Sequence, residues 1–160
     1  MLTDLVADIA FFDGIAMLKT IVQYYKNTAT KVVVKRHPYC NSLSMQLLIE
    51  GLLNEGAIIV SDASIHSIIE NAKAVFVVNS GVGFESLMHL KPVIVCGQCD
   101  YAYAVSNQVK SPQELLQYLE KDVFLVDEQR VKKLLYYYAN IYNPKLDELP
   151  SLLKEWIYDE

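Results

Sequence analysis

Cysteine is scarce in this chain, and the little present argues against covalent stapling. Cys40, Cys96 and Cys99 are an odd number, with no export signal beside them, so reduced thiols are expected rather than a disulfide framework. Glycine and proline are also sparse, at six and five residues of 160, which excludes a low-complexity or collagen-like chain. No stretch reaches the roughly 18 uncharged apolar residues that a membrane span needs. Positive charge is in deficit, with 14 Lys and Arg against 19 Asp and Glu for a formal net charge of -5. A nucleic-acid binder needs a basic face for phosphates, and none is visible. The N-terminus, MLTDLVADIAFFDGIAMLK, is apolar, but Asp4, Asp8 and Asp13 interrupt it and no basic segment precedes it. It reads as a cytoplasmic helix, not as a signal peptide.

What is present is the composition of a compact folded protein, 52% hydrophobic and 21% charged. A chain of this length buries a core without disulfides or metal. A single domain over 1–160 is expected: an N-terminal helix over 1–26, an α/β core over 31–105 and a helical segment over 111–160.

Leu5, Ile9, Phe12, Ala16, Leu18 and Ile21 recur at helical spacing, predicting a first helix that runs to Tyr25 with Gly14 in its middle. Residues 31–36, KVVVKR, are β-branched and stop at His37-Pro38, which reads as a buried strand. Ser42 or Ser44 caps a helix through about Asn54, with Gly56 as its stop signal. A strand is expected at 57–60 (AIIV), a helix at 64–71, a strand at 74–78 (AVFVV), a helix at 82–90 and a strand at 92–96 (PVIVC). These strands are apolar throughout and do not alternate, the pattern of a parallel sheet covered on both faces. The expectation is therefore a three-layer, Rossmann-like α/β domain with one parallel sheet of at least four strands. After Gly97 the pattern turns helical, with starts at Ser111-Pro112, at Asp127 (through about Tyr142) and after Pro150.

In open parallel sheets, ligands bind beyond the carboxyl ends of the strands. Three segments end strands there: His37-Pro38, residues 79–85 (NSGVGFE), and Gly97-Gln98. In the second, Gly81 and Gly83 let a backbone approach a ligand, and a helix N-terminus offers unpaired N–H groups to a phosphate, with the Ser80 hydroxyl beside them. A purely architectural reading stands next to it, in which the glycines allow a tight turn and Ser80 caps the helix. The segment is not the dinucleotide fingerprint, because Ser86 stands where the third glycine belongs. His37, beside Lys35 and Arg36, can donate to a phosphate oxygen or can be a turn residue before proline. Glu85 can accept from sugar hydroxyls or can sit in the first turn because the helix dipole favours it there.

VVVKRHPY, followed after a gap by VFVVNSGVGFESLMHLKPVIVCG, resembles the C-terminal domain of the capsule polysaccharide biosynthesis family of GT-B glycosyltransferases, which includes transferases of 3-deoxy-manno-octulosonic acid. The Lys-x-His-Pro, Asn-Ser-x-x-Gly-Phe-Glu and Lys-Pro-Val-Ile units stand in the family's order across about 31–103. The resemblance implies a domain that binds a nucleotide sugar, CMP-linked in the first place and UDP-linked in the second, without cofactor or metal. It places phosphate binding on His37 and Ser80 and the ribose on Glu85, with Lys35, Asn79, Gly81 and Gly83 around them. Family members pair this half with an N-terminal domain that binds acceptor and carries the acidic catalytic residue. Here one helix precedes the His-Pro strand, so the isolated chain is expected to be inactive in transfer until an N-terminal half joins it, and no catalytic residue is assigned. The other expectation, from a different class, is a non-catalytic scaffold derived from such a domain, or a homo-oligomer, peripheral at most to the inner membrane.

Other constellations carry less. Cys96-Gly97-Gln98-Cys99 has the C-x-x-C spacing of redox and zinc sites, but it closes a strand where a redox pair opens a helix, and His37, Cys40, His66 and His89 stand at no metal spacing. Ser80 and His37 lack the G-x-S-x-G elbow of a hydrolase. Tyr136, Tyr137, Tyr138, Tyr142, Trp156 and Tyr158 make the C-terminal segment unusually aromatic, which suits either an interface or a cover over the sheet.

Overall fold

Asp13 decides where the first helix begins. Its carboxylate accepts the Ala16 N–H at 2.7 Å, capping α1 (Gly14–Tyr25), so Gly14 opens the helix and is not in its middle as the apolar spacing predicted. Residues 9–11 instead run as an extended strap across the end of a later strand. Phe11 N–H donates to the Cys96 carbonyl and Gln98 N–H to the Ile9 carbonyl, around an antiparallel bridge between Ala10 and Gly97. Gly97 makes this approach possible, because a Cβ there would lie 3.0 Å from the carbonyl oxygens of both Ile9 and Val78.

The computed structural model describes residues 9–36 and 40–142. After α1 the order is β1 (Val33–Val34), α2 (Leu43–Asn54), β2 (Ile59–Val60), α3 (Ile65–Asn71), β3 (Val75–Val77), α4 (Gly81–Met88), β4 (Val93–Val95), a 3-10 turn (Ala102–Ala104), β5 (Asn107–Gln108), α5 (Pro112–Lys121), α6 (Glu128–Tyr137) and a π-helical turn (Tyr138–Tyr142). The helix expected after Pro150 lies outside the described residues.

All five strands pair in parallel, as an α/β fold of this pattern requires. The expected single sheet of at least four strands is corrected: β1 and β2 form one sheet and β3, β4 and β5 another, in the order β3-β4-β5. What joins them among the described residues is side-chain packing. Ile21 of α1 packs with Ile94 and Cys96 of the larger sheet and with Leu115 and Leu119 of α5, while Leu18 and Val22 of the same helix pack with Ile58 and with Val32 and Val34 at β1. Val32 belongs to both clusters. β1 is only two residues long; Val34 packs toward α1 and α2 but Val33 is exposed, as are Ile59 and Val60 of β2, so these two strands are not the buried, doubly covered strands that their apolar residues predicted.

The three-stranded sheet is covered on both faces, because side chains along a strand alternate. From β4, Val93 and Val95 face α4 and α6 through Leu87, Val131 and Leu134. Ile94 and the following Cys96 face α1 and α5. Residues 93–96 are fully buried, so the apolar run of the sequence is a central strand.

The helix boundaries follow local chemistry. Ser42, Ser80, Ser111 and Asp127 each accept a backbone N–H from the first turn of their helices. Gly56 adopts φ +66 just past the C-terminus of α2, the left-handed position that suits glycine. Leu90 takes the same role after α4 at φ 53; its N–H bonds the Leu87 carbonyl and Lys91 N–H bonds that of Ser86. No helix among the described residues is long and apolar enough to cross a membrane.

Candidate functional site

The carboxyl end of β3 leads through Val78, Asn79 and Ser80 into α4. Ser80 is extended, at φ -70 and ψ 146, and its hydroxyl oxygen accepts the Val82 N–H at 3.3 Å. Its carbonyl accepts the Gly83 N–H at 2.9 Å and the Tyr101 hydroxyl at 2.5 Å. Ser80 is thus a helix cap, and among the described residues its hydroxyl donates no hydrogen bond.

The two glycines of the turn differ in what surrounds them. Gly81 is exposed, and a Cβ on it would meet no atom within 4 Å. Gly83 is buried, and a Cβ there would come within 2.8 Å of Cε2 and Cζ of Tyr101 and closer still to its hydroxyl. The space left by Gly83 is therefore taken by the Tyr101 ring. Sequence reasoning gave Tyr101 no role. Its only signal was an aromatic in the DYAYAV segment, yet it is 2% exposed and holds the cap from below. Burial raises its phenol above the usual tyrosine range.

Glu85, one turn into α4, is half-buried. Its Oε2 is shielded from solvent and has no hydrogen-bond partner among the described residues. Such an atom forfeits its hydration without compensation, a cost of about 1–3 kcal/mol or more for a charged group. Next to it, Ser86 is fully buried and satisfied, donating to the Val82 carbonyl at 2.7 Å.

Several elements gather at this end of the sheet. A Cβ on Gly14, at the start of α1, would meet Met45 Cε of the first turn of α2 at 3.4 Å and Val78 Cγ2 at 3.8 Å. The N-termini of α1 and α2 thus approach the segment that leads into α4, and their dipoles put partial positive charge on one side of the fold. Gly97 sits against the Val78 carbonyl, under the strap. The ends of β3 and β4 are therefore adjacent, as expected.

Other predicted residues are placed differently. Lys35 follows β1, and its ammonium donates at 2.9 Å to the Ala63 carbonyl in the loop after β2. His37 lies outside the described residues. Asn79 is half-buried at the head of the turn. Two surface recesses occur elsewhere: one of about 190 Å³ beside Asn107, Glu114 and Tyr118, and an apolar one of about 310 Å³ between Tyr103, Lys133, Leu134 and Tyr137.

The C-x-x-C pair is divided by the sheet. Cys96 packs toward α1 and α5, and Cys99 packs on the opposite face with the Tyr101 cluster. Cys40, Cys96 and Cys99 are all free thiols, and no group of three or more His, Cys, Asp or Glu among the described residues is placed to hold a metal. Burial pushes the Cys96 thiol up to about 12. Cys99 is raised to about 11, chiefly by burial and against the lowering effect of its hydrogen bond to Tyr101. Both stay protonated in the folded chain, while the unfolded chain ionises near the usual thiol value of about 8.5. The stability they contribute is complete below that pH and is lost as the pH climbs toward 11–12. Urea denaturation at pH 7.5, 9.5 and 10.5 should show a falling midpoint across the last two values. A flat profile would mean that the thiols are not buried in this way.

No curated protein and no solved structure matches the chain. The family model described as capsule polysaccharide biosynthesis protein matches residues 9–136, which takes in both sheets, the turn into α4 and the helices that cover them, and the chain belongs to that family.

Proposed function

We propose that this chain binds the nucleotide part of an activated sugar at the turn into α4 and serves as the donor-binding half of a glycosyltransferase in capsule or related surface-polysaccharide synthesis. The single observation that carries the reading is the buried Oε2 of Glu85, which has no hydrogen-bond partner among the described residues. A carboxylate oxygen withheld from water is an acceptor waiting for a donor, and ribose or sugar hydroxyls are donors of the right kind. The nearby helix N-terminus, with Gly81 open to approach, suits the phosphate of the same ligand.

In this reading the Gly81 N–H and the Ser80 hydroxyl proton contact phosphate, and Glu85 accepts from a hydroxyl. Asn79 borders the site and Gly83 makes room for the Tyr101 buttress, while His37 is proposed to reach the phosphate and Lys35 would do so only on leaving the Ala63 carbonyl. The family's transferases favour a CMP-linked acid sugar, with UDP-linked sugars as the alternative. Transfer itself needs an aligned acceptor and an acid or base beside it, which an N-terminal half would supply. Calorimetry with CMP, UDP and GDP tests the proposal. CMP is expected to bind, and His37→Ala and Ser80→Ala are each expected to weaken it by about 10- to 100-fold, the value of one hydrogen bond to a charged group. Absence of binding by all three nucleotides at millimolar concentration ends the proposal.

A second reading draws on the aromatic surface. Tyr103, Tyr136, Tyr137, Ile141 and Tyr142 are all exposed, as expected of an interface more than of a sheet cover, which favours a scaffold that docks through its C-terminal face. An adjacent reading frame encoding an acceptor-binding half favours the split enzyme. Failure of nucleotide binding without such a frame favours the scaffold.

A further inference from the structure

His66 is the second residue of α3 and His89 caps the C-terminus of α4. Their rings meet across the two helices with His66 Nδ1 and His89 Nε2 3.0 Å apart, centroids separated by 5.2 Å and planes tilted by 37°. The helices beneath are fixed by packing, since Ile69 and Leu87 are 1% and 0% exposed. A second tie crosses the same boundary, where Lys91 donates to the Glu70 carbonyl at 2.7 Å. The two helix positions that carry the imidazoles are therefore fixed by the fold, and the rings themselves meet at the surface, with His66 exposed and His89 half-buried.

We propose that His66 and His89 form a two-imidazole site for a late first-row divalent cation, Zn²⁺, Ni²⁺ or Cu²⁺. Imidazole nitrogens bind such ions at about 2.0–2.1 Å, so two of them on one ion stand roughly 2.9–3.4 Å apart for angles between square-planar and tetrahedral. The observed separation of 3.0 Å falls within that bite, and a cation would take the place of the proton the two rings share in their hydrogen bond. His89 also ends α4, where the negative end of the helix dipole favours a cation. With two protein donors the remaining positions belong to water, so the site is exchangeable and is not a folding staple. It is also separate from the donor turn, because Ser80 and His89 stand at opposite ends of α4, about 13.5 Å apart along the helix at about 1.5 Å per residue. Success or failure here leaves the nucleotide proposal untouched.

The test is titration of the untagged chain with CuCl₂, NiCl₂ and ZnCl₂ by calorimetry, with electron paramagnetic resonance of the Cu²⁺ form. One equivalent is expected, with nitrogen splitting from two imidazoles and affinity rising from Zn²⁺ or Ni²⁺ to Cu²⁺. His66→Gln and His89→Gln should each lower the affinity by about 10-fold or more, while His37→Gln, at the only other histidine, should leave it unchanged. The nitrogen count is read on the unaltered protein, so the test survives a variant that fails to fold. Binding that persists in the double variant, binding that follows His37, or a single-nitrogen spectrum would each overturn the site.

Discussion

Gly83→Ala is expected to be the most damaging conservative change in the candidate site. The added methyl lands within 2.8 Å of two carbons of the Tyr101 ring, and that ring is 2% exposed with its hydroxyl on the Ser80 carbonyl. It cannot move aside cheaply. Overpacking of a close-fitted interior costs about 1–3 kcal/mol, which lowers the melting midpoint by roughly 2–12 °C in a chain of this size. Moving Tyr101 also releases the cap carbonyl and shifts the turn, so nucleotide binding should fall with stability. The companion variant Tyr101→Ala leaves a cavity by itself, at about 3–5 kcal/mol. Combined with Gly83→Ala it should cost less than the sum of the two, because the clash is gone. A strictly additive pair, or a Gly83→Ala midpoint within a degree of the parent, would show that Tyr101 is not packed on Gly83.

Glu85→Met is expected to move stability and binding in opposite directions. Methionine keeps the length of the side chain but removes an oxygen that is buried and has no partner among the described residues, so the ligand-free protein should gain about 1 kcal/mol. The same change deletes the acceptor for a ligand hydroxyl, and affinity for the nucleotide sugar should drop about 10- to 100-fold, the value of a hydrogen bond to a charged group. A site that is costly to the empty fold and useful to the complex behaves in this way. Thermal unfolding with and without ligand reads both effects. Loss of stability on Glu85→Met would mean that the carboxylate serves the fold, and the case for a ligand at this position would lapse.

The parts of this structure legible in the sequence were those fixed by neighbours in the chain. Ser42, Ser80, Ser111 and Asp127 announce their helices, and each makes the capping bond expected of it. Gly56 ends α2 in the left-handed conformation that its identity suggested. The run at 92–96 is as buried as its apolar side chains implied. What escaped depended on distant residues. Asn107 and Gln108 are polar and fall where no strand was expected after Gly97, yet they pair with Ile94 and Val95 as β5 because an open edge of β4 was there to accept them. The first helix was drawn too long because Ile9 and Phe12 fit a helical stripe, and only the meeting with Gly97 shows why residues 9–11 stay extended. Within the site, the turn and its capping serine were visible. The Tyr101 buttress was not, since nothing local couples residue 101 to residue 83.

The strap of residues 9–11 also has a place in time. Its two backbone hydrogen bonds, Phe11 to Cys96 and Gln98 to Ile9, join the beginning of the described chain to the end of its central strand. The loop between them contains β1 to β4 and the helices that connect them. Closing so long a loop for so few bonds is entropically costly until the intervening elements are already packed. The strap therefore settles last on the folding pathway and is the first contact to let go. Changes at residues 9–11 should leave the folding rate alone and hasten unfolding, so that this short segment sets how long the assembled fold persists more than how quickly it forms.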